Sequence, residues 1–232
     1  MTRQPNSQYN VAAPQSLPVR IATVQRRRIF AHFLKTCSVD PATTVLDVGV
    51  TSDQSYESSN YLEAWLQNKS RITALGMDDA QFLEAKYPGL RFIKGDGLGL
   101  PFEAKTFDVV HASAVLEHVG CFENQVRLIA ECARVARRSF YVTTPNRFFP
   151  VEFHTILPFV HWLPRTWFRK LMAVSGREFF ALEENLNLMS KRDIRRAAIQ
   201  ALSGAQWRFR VDTVRLLGLD SNLLLYGERE RD

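Results

Sequence analysis

The sequence predicts an α/β fold, a mostly parallel sheet with helices on both faces. Three observations carry this. Short apolar runs rich in Val, Ile, Leu and Phe alternate with segments of helical spacing. The first three runs lead into acidic residues, Asp47, Asp78 and Asp96, as buried parallel strands do when they open into ligand-binding turns. And 46% of the 232 residues are hydrophobic, enough for one sizeable core.

The elements follow in order. Met1 to Pro18 is polar and Pro-containing without an apolar h-region, so residues 1–18 read as a flexible tail rather than a signal peptide. Residues 19–232 read as one domain. Ile21 to Leu34 has apolar residues at helical spacing and predicts a covering helix. Val45 to Gly49 is the first strand, Ser58 to Gln67 a helix and Ile72 to Met77 the second strand. Ala80 to Lys86 is a short helix stopped by Pro88-Gly89, before a third strand from Leu90 to Lys94.

Phe107 to Ala112 is the fourth strand. Phe122, Val126, Ile129, Ala133 and Ala136 then mark a helix. Phe140 to Thr143 is the fifth strand, closed by Pro145-Asn146. Ser190 and Asp193 have capping-box spacing and start another helix. Trp207 to Val211 and Leu223 to Tyr226 complete the set of strands. Between the fifth strand and the Ser190 helix, residues 147–189 form a long insertion rich in aromatics and broken by Pro150, Pro158 and Pro164.

Composition narrows the function. No run of about eighteen apolar residues exists, so no membrane-spanning helix is expected. Cys37, Cys121 and Cys132 are odd in number and far apart, without metal or redox spacing, which fits buried free thiols in a reducing cytoplasm. The net charge is +6, with arginines in short clusters such as Arg26 to Arg28. Such clusters are usually solvated helix faces, and no zinc-finger or RNP-type signature points to nucleic acid.

Asp47, Asp78 and Asp96 close three successive strands, a geometry that suits an adenosine-bearing ligand. An acid after the second strand can accept hydrogen bonds from both ribose hydroxyls. An acid after the third can meet the adenine amino group.

Val45-Leu-Asp-Val-Gly49, Leu75-Gly-Met-Asp78, Gly95-Asp-Gly-Leu-Gly-Leu-Pro-Phe102 and Phe107-Asp-Val-Val-His-Ala-Ser-Ala-Val-Leu-Glu-His118 resemble, in order and spacing, the motifs of class I S-adenosylmethionine-dependent methyltransferases, most closely the type-11 small-molecule group. The resemblance covers about Thr44 to Asn146. It implies a Rossmann-like, seven-stranded sheet with an antiparallel last strand, and S-adenosylmethionine as cofactor. It further implies that Asp78 binds ribose, that Asp96, Gly97 and Leu98 hold the adenine, and that Asp47 and Gly49 lie near the methionine part. Ala112 and Ser113 would line the methyl-bearing side.

The sequence departs from the family after Gly49, where Thr51 and Asp53 stand in place of further glycines. Side-chain contacts replace backbone contacts there, with Asp53 available to the cofactor's ammonium group, or else binding is lost. The competing reading is therefore a catalytically silent methyltransferase-like module.

Methyl transfer needs a base only where the acceptor carries a proton that must leave. His118, beside Glu117, stands at the expected cofactor edge. Glu152 and His154 lie just beyond the fifth strand. These three are the catalytic candidates, against a structural reading of each. His154 and His161 find no third residue at metal-ligand spacing, so no metal is expected. The insertion reads as a lid or acceptor pocket over a small-molecule or lipid-like acceptor. Trp162, Trp167 and Phe168 beside Arg165, Arg169 and Lys170 also suit peripheral membrane contact.

Overall fold

The computed structural model describes residues 16–54, 56 and 58–230. The elements run α1 (Leu17–Thr36), β1 (Val45–Val48), α2 (Tyr61–Trp65), β2 (Ile72–Gly76), α3 (Phe82–Lys86), β3 (Arg91–Lys94) and β4 (Phe107–Ser113). They continue α4 (Phe122–Val135), β5 (Ala136–Pro145), β6 (Val151–Glu152), β7 (Leu157–Pro158), α5 (Arg165–Val174), α6 (Glu178–Ala181), α7 (Lys191–Ala201), β8 (Trp207–Leu216) and β9 (Leu219–Arg229).

The main sheet has seven strands in the order β3-β2-β1-β4-β5-β9-β8. β1 to β5 pair in parallel, and β9 runs antiparallel between β5 and β8. Strand alternation splits the core. Leu46, Val48, Val110, Phe140 and Val142 face α4 and α7, while Val45, Ala74, Val109 and Tyr141 face α1, α2 and α3. Burying each large apolar side chain contributes about 1.5–3 kcal/mol, so both faces need their helical cover. Covering both faces leaves the carboxyl ends of the parallel strands as the open edge, where β1 and β4 part.

Several boundaries differ from the sequence reading. α1 begins at Leu17 with Pro18 in its first turn, a position where a missing N–H costs nothing, so the tail boundary at residue 18 falls inside a helix. Residues 1–15 lie outside the described residues. α2 is shorter than Ser58 to Gln67, because Ser58 to Asn60 form a turn and the Lys69 ammonium caps the carbonyls of Glu63, Ala64 and Leu66. β5 starts at Ala136, directly from α4, because Ala136 is already paired to Phe107 of β4. β8 and β9 are longer than read and join through Leu217-Gly218, both at positive φ, the two-residue turn that suits hairpin twist. The Ser190–Asp193 capping box forms as its spacing predicts, with the Asp193 N–H donating to Ser190 Oγ at 3.2 Å and the Ser190 N–H to Asp193 Oδ2 at 2.9 Å.

The insertion is a structured cap with its own small core. β6 and β7 form a hairpin, and Phe168, Met172, Phe180, Leu186 and Leu188 bury one another beneath α5 and α6. The aromatics divide by role: Phe168 and Phe180 are buried, whereas Phe148, Phe159, Trp162 and Trp167 are exposed.

Candidate active site

A cleft of about 250 Å³ opens at the carboxyl edge of the sheet. Gly49, Asp78, Asp96 and Gly97 line it from the ends of β1, β2 and β3, and Ser113 lines it from the end of β4. His118 and His154 line it as well.

Gly49 is required by shape. Its φ is +96°, and a Cβ there would sit 2.1 Å from Val115 Cγ2. The turn is pinned to β2 by the Gly49 and Val50 N–H groups, which both donate to the Leu75 carbonyl at 2.7 and 3.1 Å. Beyond it, Asn60 clamps the altered loop: its Oδ1 accepts from the Thr51 N–H and its Nδ2 donates to the Thr51 carbonyl, each at 2.9 Å. The Asp53 N–H donates to Thr51 Oγ1 at 3.1 Å. The missing glycines are thus replaced by side chains that satisfy the loop's own backbone. Thr51 reaches the wall of the cleft.

Asp47 lies elsewhere than its motif suggested. Alternation along β1 puts Val48 in the wall and turns the Asp47 side chain to the opposite face, where Oδ1 is 2.6 Å from His111 Nδ1. His111 Nε2 is 3.0 Å from the Tyr61 hydroxyl. Burial raises the Asp47 carboxyl to about 7 and lowers the His111 imidazole to about 4. Neighbouring Glu63 is fully buried, and burial plus the Asp47 charge push its pKa well above the carboxylate range. Asp47 therefore supports the strand from below while its neighbours Val48 and Gly49 meet the cleft.

Asp78 and Asp96 stand in the wall as expected, and Asp96 Oδ1 accepts from the Leu98 N–H at 2.9 Å, shaping the turn. Leu98 itself packs into the core instead of the wall. Ser113 Oγ is 2.9 Å from Thr143 Oγ1. Ala112 is fully buried within β4, and Ala114 lines the cleft in its place, in a left-handed turn of φ +56°.

The sequence reading missed Arg26. It comes from the basic cluster taken for a solvated face, yet it lines the cleft and donates to Ser58 Oγ at 3.0 Å. Its position three residues before buried Ile29, on the flank of the α1 stripe, is the signal that marks it.

At the opposite end, the turn after β4 carries Glu117 and His118, and the β6–β7 hairpin carries Glu152 and His154. His154 Nδ1 is 2.6 Å from Glu152 Oε1, and His154 Nε2 is 3.2 Å from His118 Nε2. His118 Nδ1 is 2.7 Å from the Asn185 carbonyl. Burial resists charge on Glu152, but the His154 charge and its hydrogen bonds overcome it and hold the carboxylate at about 2. Burial likewise opposes the His154 imidazolium, and Glu152 outweighs it and raises its pKa. Burial, with the His154 charge, lowers His118 to about 3. Glu117, fully buried, is raised to about 7 by burial. Glu152 is not among the residues that line the cleft and holds the far ring nitrogen of His154. His161 is apart from this group, with Nε2 2.7 Å from the Phe149 carbonyl.

An open α/β sheet with a cleft beyond the β1–β4 switch, bounded by acids after β2 and β3, is the fold of the class I S-adenosylmethionine-dependent methyltransferases. Residues 46–142 match the family described as "Methyltransferase domain". The family uses S-adenosylmethionine as its cofactor. No curated protein matches the chain.

Among solved structures, the chain is similar to one in the complex between the Haloferax volcanii Trm112 methyltransferase activator and the putative methyltransferase, at 15% identity, TM-score 0.59, covering 92% of this chain and 93% of that one. It is similar to magnesium protoporphyrin IX methyltransferase from Synechocystis PCC 6803, with bound SAH, at 14% identity, TM-score 0.57 and 96% and 91% coverage. PH0226 from Pyrococcus horikoshii OT3 matches at 15% identity, TM-score 0.58 and 96% and 95% coverage. At these identities the likeness shows the fold.

Proposed function

We propose that the chain transfers the methyl group of S-adenosylmethionine to a small-molecule or lipid-like acceptor. The observation that carries this is a single cleft wall that joins strand-end acids to a pair of histidines, one of them from the insertion. Asp78 meets the ribose hydroxyls, and Asp96 with Gly97 meets the adenine. Gly49 and Thr51 flank the methionine part, where Arg26 meets its carboxylate and Asp53 acts on the charge balance behind. The acceptor's reacting atom lies beside His118 and His154, with Glu152 orienting His154. Holding that atom in line with the sulfonium methyl supplies most of the rate, and a protic acceptor gives up its proton there.

The exposed face of the insertion favours a lipid-like acceptor. Trp162, Trp167, Leu171 and Val174 are exposed beside the cationic Arg165 and Lys170. Aromatic rings next to cations suit the interface of an anionic bilayer. Among the described residues no helix is long and apolar enough to cross a membrane.

Calorimetry with S-adenosylmethionine tests the cofactor half, and tritiated-methyl transfer to separated lipid and aqueous metabolite fractions tests the acceptor half. Binding followed by label in the lipid fraction is expected. An intact chain that fails to bind the cofactor overturns the enzymatic reading and leaves the silent module. Label confined to aqueous metabolites overturns the lipid-like acceptor.

A further inference from the structure

Two imidazoles face each other in an unusual way at the acceptor end. Nδ1 of His118 points at the Asn185 carbonyl, 2.7 Å away, and that carbonyl can only accept, so Nδ1 carries the hydrogen. Nδ1 of His154 points at Glu152 Oε1, 2.6 Å away, within a carboxylate already held by the His154 and Thr155 N–H groups. Both Nε2 atoms then present lone pairs toward each other across 3.2 Å. Two lone pairs at that distance repel unless something positive stands between or beside them, either a proton or a metal ion.

A third group decides which. Glu117 is fully buried, and its Oε2 accepts from Thr144 Oγ1 at 2.9 Å. Its Oε1 has no hydrogen-bond partner among the described residues and lies 3.9 Å from His118 Nε2. A proton shared between the imidazoles leaves that oxygen unsatisfied, and buried polar atoms are rarely left so. A cation beside all three satisfies it. Ligand atoms of Glu117, His118 and His154 all lie within 4.8 Å of one another. Zinc bonds imidazole nitrogen at about 2.0–2.1 Å, which sets two tetrahedral nitrogens roughly 3.3 Å apart, close to the observed spacing. Each imidazole also has the outer partner that metal-bound histidines show, one a carboxylate and one a backbone carbonyl.

We propose that Glu117, His118 and His154 bind a divalent transition ion of the zinc class, with its remaining coordination position facing the cofactor cleft. This deepens the reading of the cleft as a methyltransferase site and rests on it only for the ligand assigned to that open position, a hydroxyl oxygen of the acceptor. His118 and His154 both line the cleft, so the open position faces the methyl donor. Bound there, the hydroxyl loses its proton to water. An oxygen lone pair forms the new C–O bond, and the S–C bond breaks with its electron pair left on sulfur, giving a neutral thioether. Glu117 and Glu152 supply two carboxylates to the ion's surroundings, His118 and His154 the imidazoles, and Arg26 is the cation across the cleft. The ligands come from two parts of the chain, the turn after β4 and the β6–β7 hairpin, so the ion would also clamp the insertion onto the sheet.

The test uses the full chain without an affinity tag, stripped with a chelator and titrated with Co²⁺ as a visible probe. One equivalent should bind with the absorption bands of a tetrahedral or five-coordinate site, and Zn²⁺ should displace it. Glu117→Gln and His154→Ala should each lose Co²⁺ affinity, and Glu152→Gln should weaken it about 10–100-fold by loosening His154. Circular dichroism checks that each variant folds. Cofactor binding, measured separately, distinguishes the two readings. A chain that binds S-adenosylmethionine but no Co²⁺ overturns the ion site, as does Co²⁺ binding undiminished in folded Glu117→Gln and His154→Ala. A chain that binds Co²⁺ at these residues but no cofactor keeps the ion site and removes the methyltransferase reading.

Discussion

The two ends of the cleft are built on different principles. The cofactor end is made by the sheet: Gly49, Asp78 and Asp96 follow β1, β2 and β3, and parallel pairing fixes their relative positions. The acceptor end is made by packing between distant segments. His118 reaches it from the turn after β4, and His154 reaches it from a hairpin 36 residues later. The first end depends on backbone shape, where the approach of Val115 to Gly49 leaves no room for a side chain. The second depends on side-chain chemistry, where buried Glu152 and Glu117 stand against the half-buried imidazoles they face. Such a division lets one sheet hold one cofactor while the insertion changes the acceptor.

Substitutions can break that comparison, beginning with the largest expected effect. His154→Ala should lower methyl transfer by about 10²-fold or more, the cost of misplacing the acceptor's reacting atom. Its cofactor affinity should move by less than about threefold, since each end is positioned by different elements. Comparable losses at both ends would show that the cleft is one coupled unit. Gly49→Ala should do the reverse, destabilising the chain by about 2–4 kcal/mol from overpacking and left-handed strain. Urea unfolding measures that loss, and calorimetry should show weakened cofactor binding in whatever remains folded. Asp78→Ala should keep the fold and weaken cofactor binding about 10–100-fold, the worth of charge-assisted hydrogen bonds. Unchanged binding would remove Asp78 from the site.

A pH series separates the support beneath β1 from the cleft itself. Folding raises the Asp47 pKa from 3.8 to about 7, so its stabilising contribution is fully present below the unfolded value and is lost as pH rises through about 7. His111, lowered to about 4, works in the opposite sense, losing stability as pH falls below its unfolded value. The Asp47→Asn variant removes only the first effect. Its stability relative to the native chain should therefore climb between about pH 4 and pH 7. A difference that stays flat over that window would mean that Asp47 stays ionised beside His111. The smallest expected effect lies on the outer face of the insertion: Trp167→Ala should change stability by no more than about 0.5 kcal/mol, yet reduce sedimentation with anionic vesicles.

Much of the cofactor end was legible in the sequence because strand-end residues report themselves locally. An apolar run followed by an acid needs no distant partner to be recognised, and Asp78 and Asp96 stand where that pattern put them. Asp47 illustrates the limit. Its motif marks the strand, but only the pleat decides that Val48 faces the cleft and Asp47 faces His111. The loop after Gly49 illustrates another. Thr51 and Asp53 read as contacts to a ligand, whereas the Thr51 backbone pairs with Asn60 and the Thr51 hydroxyl accepts from the Asp53 N–H. Arg26 was hidden because a helix flank becomes a cleft wall only when another element stands opposite.

The sequence by itself determined the alternation of strands and helices, the acids after β2 and β3, the capping box at Ser190 and the glycine at position 49. These are short-range facts, set by periodicity, backbone conformation and residues a few positions apart. Only the tertiary structure decided that the insertion brings His154 into the cleft wall, that His154 meets His118, and that Glu117 places an oxygen without a hydrogen-bond partner near them. The reason is physical: burial of Phe168, Met172 and Phe180 against one another gives the insertion its own small core, and the spacing of histidines along the chain carries no record of that packing.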